Sequence, residues 1–438
     1  MHELHSSRRR FLKTAALAGS APLVLRSGLL GAEAPSNMMR VASIGTGRMG
    51  HGDMKNAIGA GLKANARLVA VCDVDTKRAA NAAKEAKQAY DSRDIAIGKI
   101  DEYQDFRELL ERDDIDAVTI STPDHTHAII AVAAAKAGKH IYLQKPLTHT
   151  VGEGKKLVEA VRANKVVLQT GSQQRSSVYF RQICTIVRNG WLGKLKTIEV
   201  EVPTDGGRAE FKEMPVPENL DYDMWLGPAP EVPYTEAGVH PQKGFSRPGW
   251  LQRERYCRGM ITGWGAHMYD IAQWGIGCDT DSGPTTVSSK GDFPDRGLFD
   301  VHVGYSGTAE YADGVTLVSR NGNPGVKFIM EDGWAYCSRG KMDCSDKELL
   351  RRRPTDAEVK LYESSDHMLD FLTAARAGKD PIAPVEVGHR SNTVCVLHHI
   401  SMKLGGRTLK WDPETETILD DPEAAGMLDF PAREPWTL

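Results

Sequence analysis

The chain has 438 residues, of which 41% are hydrophobic and 26% charged, with a formal net charge of −3. That length exceeds what one hydrophobic core usually organises, so two domains are expected. The near-neutral balance argues against a nucleic-acid or anionic-membrane partner, either of which favours a basic surface.

The first element is an address. Ser7-Arg8-Arg9-Arg10-Phe11-Leu12-Lys13 has the form of a twin-arginine export signal and precedes an apolar stretch over 14–25. Residues 1–34 are therefore read as a signal segment, and the protein is expected in the periplasm or associated with the envelope. The apolar stretch, about a dozen residues, falls short of the roughly 20 that a permanent span needs. Ala32-Glu33-Ala34 fits a peptidase site, but Pro35 would hinder cleavage after Ala34. Cleavage after Ala32 and retention as an anchor both stay open. Seven cysteines are scattered without a Cys-x-x-Cys spacing, so neither a disulfide framework nor a structural zinc site is expected.

Residues 38–170 read as strands alternating with helices. Strands are expected at 40–44, 67–73, 117–122, 140–142 and 166–170, and helices at 76–90, 106–112, 127–137 and 151–163. This order predicts an α/β fold that begins with a parallel Rossmann sheet covered on both faces. From 171 the texture changes. A helix at 178–188 is followed by strand-like runs at 196–202, 285–290, 300–305, 309–311, 315–319 and 326–330, and helical patterns return at 365–377 and 390–404. Residues 171–415 therefore read as a second α/β domain with an open, mostly antiparallel sheet, interrupted by a loop-rich insert at 203–256. Residues 416–438 are a tail.

Gly45-Thr46-Gly47-Arg48-Met49-Gly50 follows the first strand and opens a helix, the setting in which Gly-x-Gly-x-x-Gly binds a dinucleotide. The glycines let backbone approach a pyrophosphate at the helix N-terminus. Asp73 ends the second strand, 23 positions after Gly50, near the spacing of roughly 20 expected of an acid that binds the adenosine ribose. Its carboxylate would repel a 2′-phosphate, and Val74 follows it, so NAD is favoured over NADP.

Three further segments carry chemistry: Ser121-Thr122-Pro123-Asp124-His125-Thr126-His127, Gln144-Lys145-Pro146-Leu147-Thr148 and Gly263-Trp264-Gly265-Ala266-His267-Met268-Tyr269-Asp270. With the glycine loop, they resemble the glucose-fructose oxidoreductase / inositol dehydrogenase / rhizopine catabolism (Gfo/Idh/MocA) family. Trp225-Leu226-Gly227-Pro228-Ala229-Pro230 and Gly171-Ser172-Gln173-Gln174-Arg175 are similar to its twin-arginine-exported branch, of Bacteroidetes and planctomycete type. The resemblance implies hydride transfer between a nicotinamide and a sugar or cyclitol hydroxyl, and homo-oligomers (dimers or tetramers) built through the open sheet.

By that resemblance Lys145 and His267 carry the proton chemistry. Histidine titrates near working pH, and an ammonium can stabilise negative charge growing on a substrate oxygen. Ser121, Thr122, Pro123, His127, Gln144, Lys145 and Gln173 join the expected cofactor contacts. Two roles are open to Asp270: it shares a helix face with His267 at i+3 and can orient it, or it serves the helix's first turn. Histidines 125 and 127 with Asp124 read as loop residues on the nicotinamide side, not as a metal site. Arg175 and Trp264 are the expected substrate contacts, within a region holding Trp225, Trp250 and Trp274, whose indoles suit pyranose faces or the core.

Two departures from the family stand out. Gln144 occupies the place of a glutamate, and Gly263 that of an aspartate four residues before the histidine, so the expected Lys-Asp-His relay is incomplete. The export signal adds a supply problem, because the envelope has no NAD pool. The expectation is a tightly held NAD and a redox-neutral cycle on a sugar, cyclitol or glycoside hydroxyl. NAD-assisted glycoside cleavage and a non-catalytic sugar- or dinucleotide-binding protein are the alternatives.

Overall fold

The computed structural model describes residues 37–438 apart from 208, 209 and 211. The twin-arginine motif and the apolar stretch after it lie outside the described residues. Residues 39–438 form one compact unit organised by two sheets.

The first half contains β1 (Met39–Ile44), α1 (Arg48–Lys63), β2 (Ala66–Cys72), α2 (Thr76–Asp91), β3 (Asp101–Tyr103), α3 (Phe106–Leu110), β4 (Ala117–Ile120), α4 (His127–Lys136), β5 (His140–Leu143), α5 (Val151–Ala163) and β6 (Leu168–Thr170). Its six strands run in the order β3-β2-β1-β4-β5-β6, every pair parallel. Helix starts are chemically marked. Asp75 caps α2 by accepting from the backbone N–H groups of Lys77 and Arg78, and Thr150 and Glu153 form a reciprocal capping box on α5. The strand order reverses between β1 and β4, and ligands of such sheets bind outside the carboxyl ends there.

The second half contains α6 (Val178–Arg188), β7 (Leu195–Val202), α7 (Tyr222–Leu226), α8 (Met260–Gly263), α9 (Gly265–Ile276), β8 (Thr286–Asp292), β9 (Gly304–Glu310), β10 (Thr316–Asn321), β11 (Gly325–Met330), β12 (Gly333–Ser338), β13 (Lys341–Cys344), α10 (His367–Ala377), α11 (Val385–Lys403), β14 (Leu409–Asp412), β15 (Thr417–Leu419) and α12 (Pro422–Gly426). Its nine strands run β13-β12-β11-β7-β10-β9-β8-β14-β15. Only β7 and β10 pair in parallel. Helices α6, α9 and α11 cover one face, where Ile183, Ile271 and Leu397 share a core with Ile198, Leu317 and Phe328. The strands alternate buried with half-exposed residues, so the other face is uncovered in the single chain.

Three departures from the sequence reading have physical causes. Residues 300–303 stay irregular because Asp300 is tied to the insert: its N–H donates to Gln252 O, and its carboxylate accepts from Glu254 N at 2.6 Å. Strands β3 and β13 are short and charged, and β12 is apolar on both faces, so none shows a clear apolar–polar alternation. Helix α10, read as part of the second domain, packs Met368, Phe371 and Leu372 into the first domain's core beside Val41, Met54 and Tyr142. Among the described residues no helix is long and apolar enough to cross a membrane.

Candidate active site

A cavity of about 740 Å³ runs from the carboxyl ends of β1, β2 and β4 to the start of α9. Its first end is built by the glycine loop. Gly45 has φ +78°, and a Cβ there would lie 2.8 Å from the Thr122 methyl, so only glycine fits. A Cβ on Gly50 would lie 1.8 Å from Gly45 O, so this glycine sets how closely α1 approaches the loop. Gly47 is the N-cap of α1, without a side-chain cap and with no acid in the first turn. The helix therefore presents unsatisfied N–H groups and its positive end to the cavity, as an anion requires.

Gly45, Gly47, Arg48 and Met49 line the cavity. Thr46 and Gly50, expected as direct contacts, are instead internal to the loop. Thr46 donates from its backbone N–H (2.8 Å) and its hydroxyl (3.0 Å) to one Asp73 oxygen. The other Asp73 oxygen accepts from Asp75 N at 3.0 Å. Asp73 thus braces the glycine loop while still lining the cavity, with a carboxylate able to accept further bonds.

Ser121, Thr122, Pro123, Gln144 and Gln173 also line it. His127 does not. It is buried, with ring nitrogens 2.9 Å from Pro146 O and 3.0 Å from Thr122 O. Burial pushes its imidazole down to about 4, so it is neutral and donates to one of the two carbonyls, wedged between the loops rather than meeting the cofactor. His125 is likewise buried, with Nε2 3.0 Å from Trp225 O.

The Gln144 departure has a partner. Its amide Nε2 donates to Asp53 Oδ2 at 2.8 Å, and the Ser121 hydroxyl donates to the same oxygen at 2.8 Å. Asp53 is buried, and that burial pushes its carboxyl up against the pull of both donors and of Lys145. A glutamate at 144 would face this carboxylate with no proton to offer.

At the other end, Lys145 Nζ donates to the backbone carbonyl of Gly263 at 2.8 Å. The position where the family often has an aspartate thus supplies an acceptor from the main chain. Gly263 has room for a side chain, since an added Cβ would meet only Met260 Sδ, at 3.9 Å. Burial lowers the Lys145 pKa, and Asp124 opposes the shift. Asp124 also lines the cavity; burial pushes its carboxyl up to about 7 against the pull of Lys145, and its Oδ2 has no partner. His267 lines the same end with an unpartnered Nδ1, and burial, helped by Lys145 and Arg339, holds it well below the usual imidazole range. It is therefore neutral, with its proton affinity reduced by the same burial.

Arg175 and Asp270 are corrections. Asp270 does not orient His267: it is fully buried and accepts from Arg175 Nε (2.9 Å) and Nη2 (2.7 Å) and from the Ser391 hydroxyl (2.9 Å). Arg175 Nη1 pairs with Asp279 at 2.8 Å. All three guanidinium nitrogens are engaged, and Arg175 is buried away from the cavity wall, out of reach of a substrate. Burial works against the Arg175 charge, and the two carboxylates more than offset it. This desolvated fork outcompetes a single bond from Asp270 to an imidazole. Trp274 is buried away from the cavity, whereas Trp225, itself buried, lines it together with Trp250 and Trp264.

Several lining residues gave no signal in the sequence. The insert folds over the cleft. His240 Nε2 lies 3.1 Å from Asp75 Oδ2, Asn219 donates to Asp75 Oδ1 at 2.7 Å, and Arg78 donates to Pro241 O at 2.9 Å. The tail contributes Trp436, held by Arg433, which donates to Asp223 at 2.7 Å and to Gly227 O at 3.1 Å. Arg339 enters from the β12–β13 turn.

A glycine loop, an uncapped helix start and an acid on β2, opposite a lysine and a neutral histidine, define a dinucleotide-dependent oxidoreductase class. Residues 39–172 match the model of the oxidoreductase family's NAD-binding Rossmann fold, and residues 178–438 match its C-terminal alpha/beta domain. The chain belongs to this Gfo/Idh/MocA family.

Among curated relatives, a myo-inositol 2-dehydrogenase of Thermotoga maritima is 29% identical over 186 residues, 42% of this chain and 48% of that protein. A glycosyl hydrolase family 109 protein of Shewanella pealeana is 30% identical over 213 residues, 43% of this chain and 44% of that protein. The chain thus spans less than half the length of these relatives. The WlbA dehydrogenase of Bordetella pertussis, solved with NADH and UDP-GlcNAcA, shares the fold with a TM-score of 0.61 and 15% identity, over 86% of this chain and 99% of that one.

Proposed function

We propose that this protein is an NAD(H)-dependent oxidoreductase acting on a hydroxyl of a carbohydrate or cyclitol. It is exported by the twin-arginine route to the periplasm or envelope, as a member of the exported branch, and keeps its dinucleotide as a resident group. The observation that carries the reading is the junction of Lys145 with Gly263 O at 2.8 Å, which brings the end of the nucleotide cleft onto the helix pair bearing Trp264 and His267.

NAD, held by Gly45, Gly47 and Asp73, would supply the hydride acceptor for a carbinol carbon and, in a closed cycle, the hydride donor. His267, neutral through burial, accepts the hydroxyl proton, while the Lys145 ammonium donates to the oxygen as negative charge grows there. Retention is supported by the insert and the tail, which lie along the cleft through the Asp75–His240 and Arg433–Asp223 pairs. The uncovered face of the second sheet suits association with further copies of the chain.

A second reading, cleavage of a glycoside by oxidation, elimination and re-reduction, is favoured by the similarity to the Shewanella protein. It uses the same groups, because a carbonyl acidifies the neighbouring C–H.

The test is to purify the protein from the periplasmic fraction and identify bound dinucleotide by mass spectrometry. A panel of sugars, cyclitols and glycosides is then scored on the reduced-nicotinamide absorbance of the bound cofactor. Lys145→Ala is expected to keep the dinucleotide and lose the sugar-dependent change. Protein absent from that fraction, or free of dinucleotide, sinks the resident-cofactor reading. A wild type with no absorbance response, matched by Lys145→Ala, identifies a non-catalytic binding protein.

A further inference from the structure

Arg339 has no assigned task in the chemistry above. It sits in the turn between β12 and β13, followed by Gly340 at φ +76°, and both residues line the cavity. Its guanidinium lies 4.5 Å from the ring centroid of Trp264, three residues before His267. Its charge acts on both Lys145 and His267, which fixes it at their end of the cavity.

Among the described residues no carboxylate pairs with Arg339, whose side chain is exposed. Other cavity arginines are accounted for. Arg247 pairs with Asp205, Arg78 donates to Pro241 O, and Arg48 stands in the first turn of α1 where a pyrophosphate is expected.

The acids at this end do not balance Arg339. Asp53 is buried and takes the Ser121 and Gln144 donors rather than Arg339, and Asp124 is held up to about 7 by burial, with Lys145 beside it. Arg339 is exposed on the cavity wall, so its guanidinium is free to take an anionic group of a ligand that fills the cavity. Stacking on an indole steadies a guanidinium but does not neutralise it.

We infer that the substrate of this site carries an anionic group, a carboxylate or a phosphate, and that Arg339, steadied by Trp264, is the residue that binds it. The inference rests on the oxidoreductase reading for the remainder of the ligand, and it narrows the substrate class from sugars in general to acidic sugars. A guanidinium forks onto either oxyanion through two parallel N–H bonds, which a lysine cannot reproduce.

The test uses dinucleotide-loaded protein and isothermal titration with matched gluco-, galacto- and manno-configured sets: the neutral hexose, its uronate and its 6-phosphate. In at least one set the acid is expected to bind roughly 10- to 100-fold more tightly than the neutral sugar, the range of a charge-assisted pair. Arg339→Leu is expected to erase that gap by weakening the acid far more than the neutral sugar, and Arg339→Lys to restore part of it. Preference for uronate over phosphate, or the reverse, identifies the anion.

Equal binding of neutral and acidic sugars overturns the inference. So does an Arg339→Leu variant that weakens both alike, or a failure of every acid to bind. Absorbance of the bound cofactor is read in the same samples. An acid that binds without changing it removes the oxidoreductase reading while leaving the anion subsite in place.

Discussion

The Gln144 amide donates to the Asp53 carboxylate at 2.8 Å, so the residue that departs from the family's glutamate is matched to an acid one helical turn past the glycine loop. Gln144→Glu would set two buried carboxylates against each other. The variant is expected to lose about 2–3 kcal/mol of stability at neutral pH, the range for an unsatisfied buried polar pair. Adding Asp53→Asn should recover most of it. Denaturant unfolding of the two single variants and the double variant measures the coupling, and additive losses would show that the two side chains act independently.

The buried fork between Arg175 and Asp270 holds α9 to the segment that precedes α6. Asp270→Asn leaves a desolvated guanidinium with Asp279 as its remaining counter-charge. The expected loss is about 3 kcal/mol or more. Protein that stays folded should keep its dinucleotide and its dependence on Lys145. A variant of unchanged stability that lost only turnover would return Asp270 to the catalytic role that its place on the helix face first suggested.

Gly263 has space for a side chain and a carbonyl already bonded to Lys145. Gly263→Asp would add a carboxylate near an ammonium whose pKa burial has lowered. An opposite charge favours the charged form, so the Lys145 pKa rises, and the limb of the pH–rate profile that it governs is expected to move up by about one unit. A profile unmoved by this change, in protein that retains its cofactor, would show that Lys145 does not set that limb.

Much of the nucleotide half was legible before any coordinates. The alternation of apolar strands with Ala-rich helices, the glycines at 45, 47 and 50 and the acid at 73 are local patterns, and local patterns are carried by periodicity and backbone conformation. Lys145 and His267 were found through resemblance of short motifs, and the fold brings both to one cavity. The second sheet was legible in class but not in strand count, because strands such as β12 and β13 show no apolar–polar alternation to mark them.

What the linear chain determined by itself is the chemistry on offer: a loop that only glycines can form, an acid at the end of β2, a lysine before a proline and a histidine near the start of a helix. Tertiary structure decided how that chemistry is distributed. Asp270 lies three residues from His267 yet spends its carboxylate on Arg175, 95 positions away, because a buried guanidinium needs a counter-charge more than an imidazole needs orienting. Lys145 finds its acceptor 118 positions away in a backbone carbonyl, and Arg339 reaches Trp264 from a hairpin that no local signal marked. Long-range pairings of charge and hydrogen bond depend on what the folded chain removes from water, and that is not written in the spacing of residues.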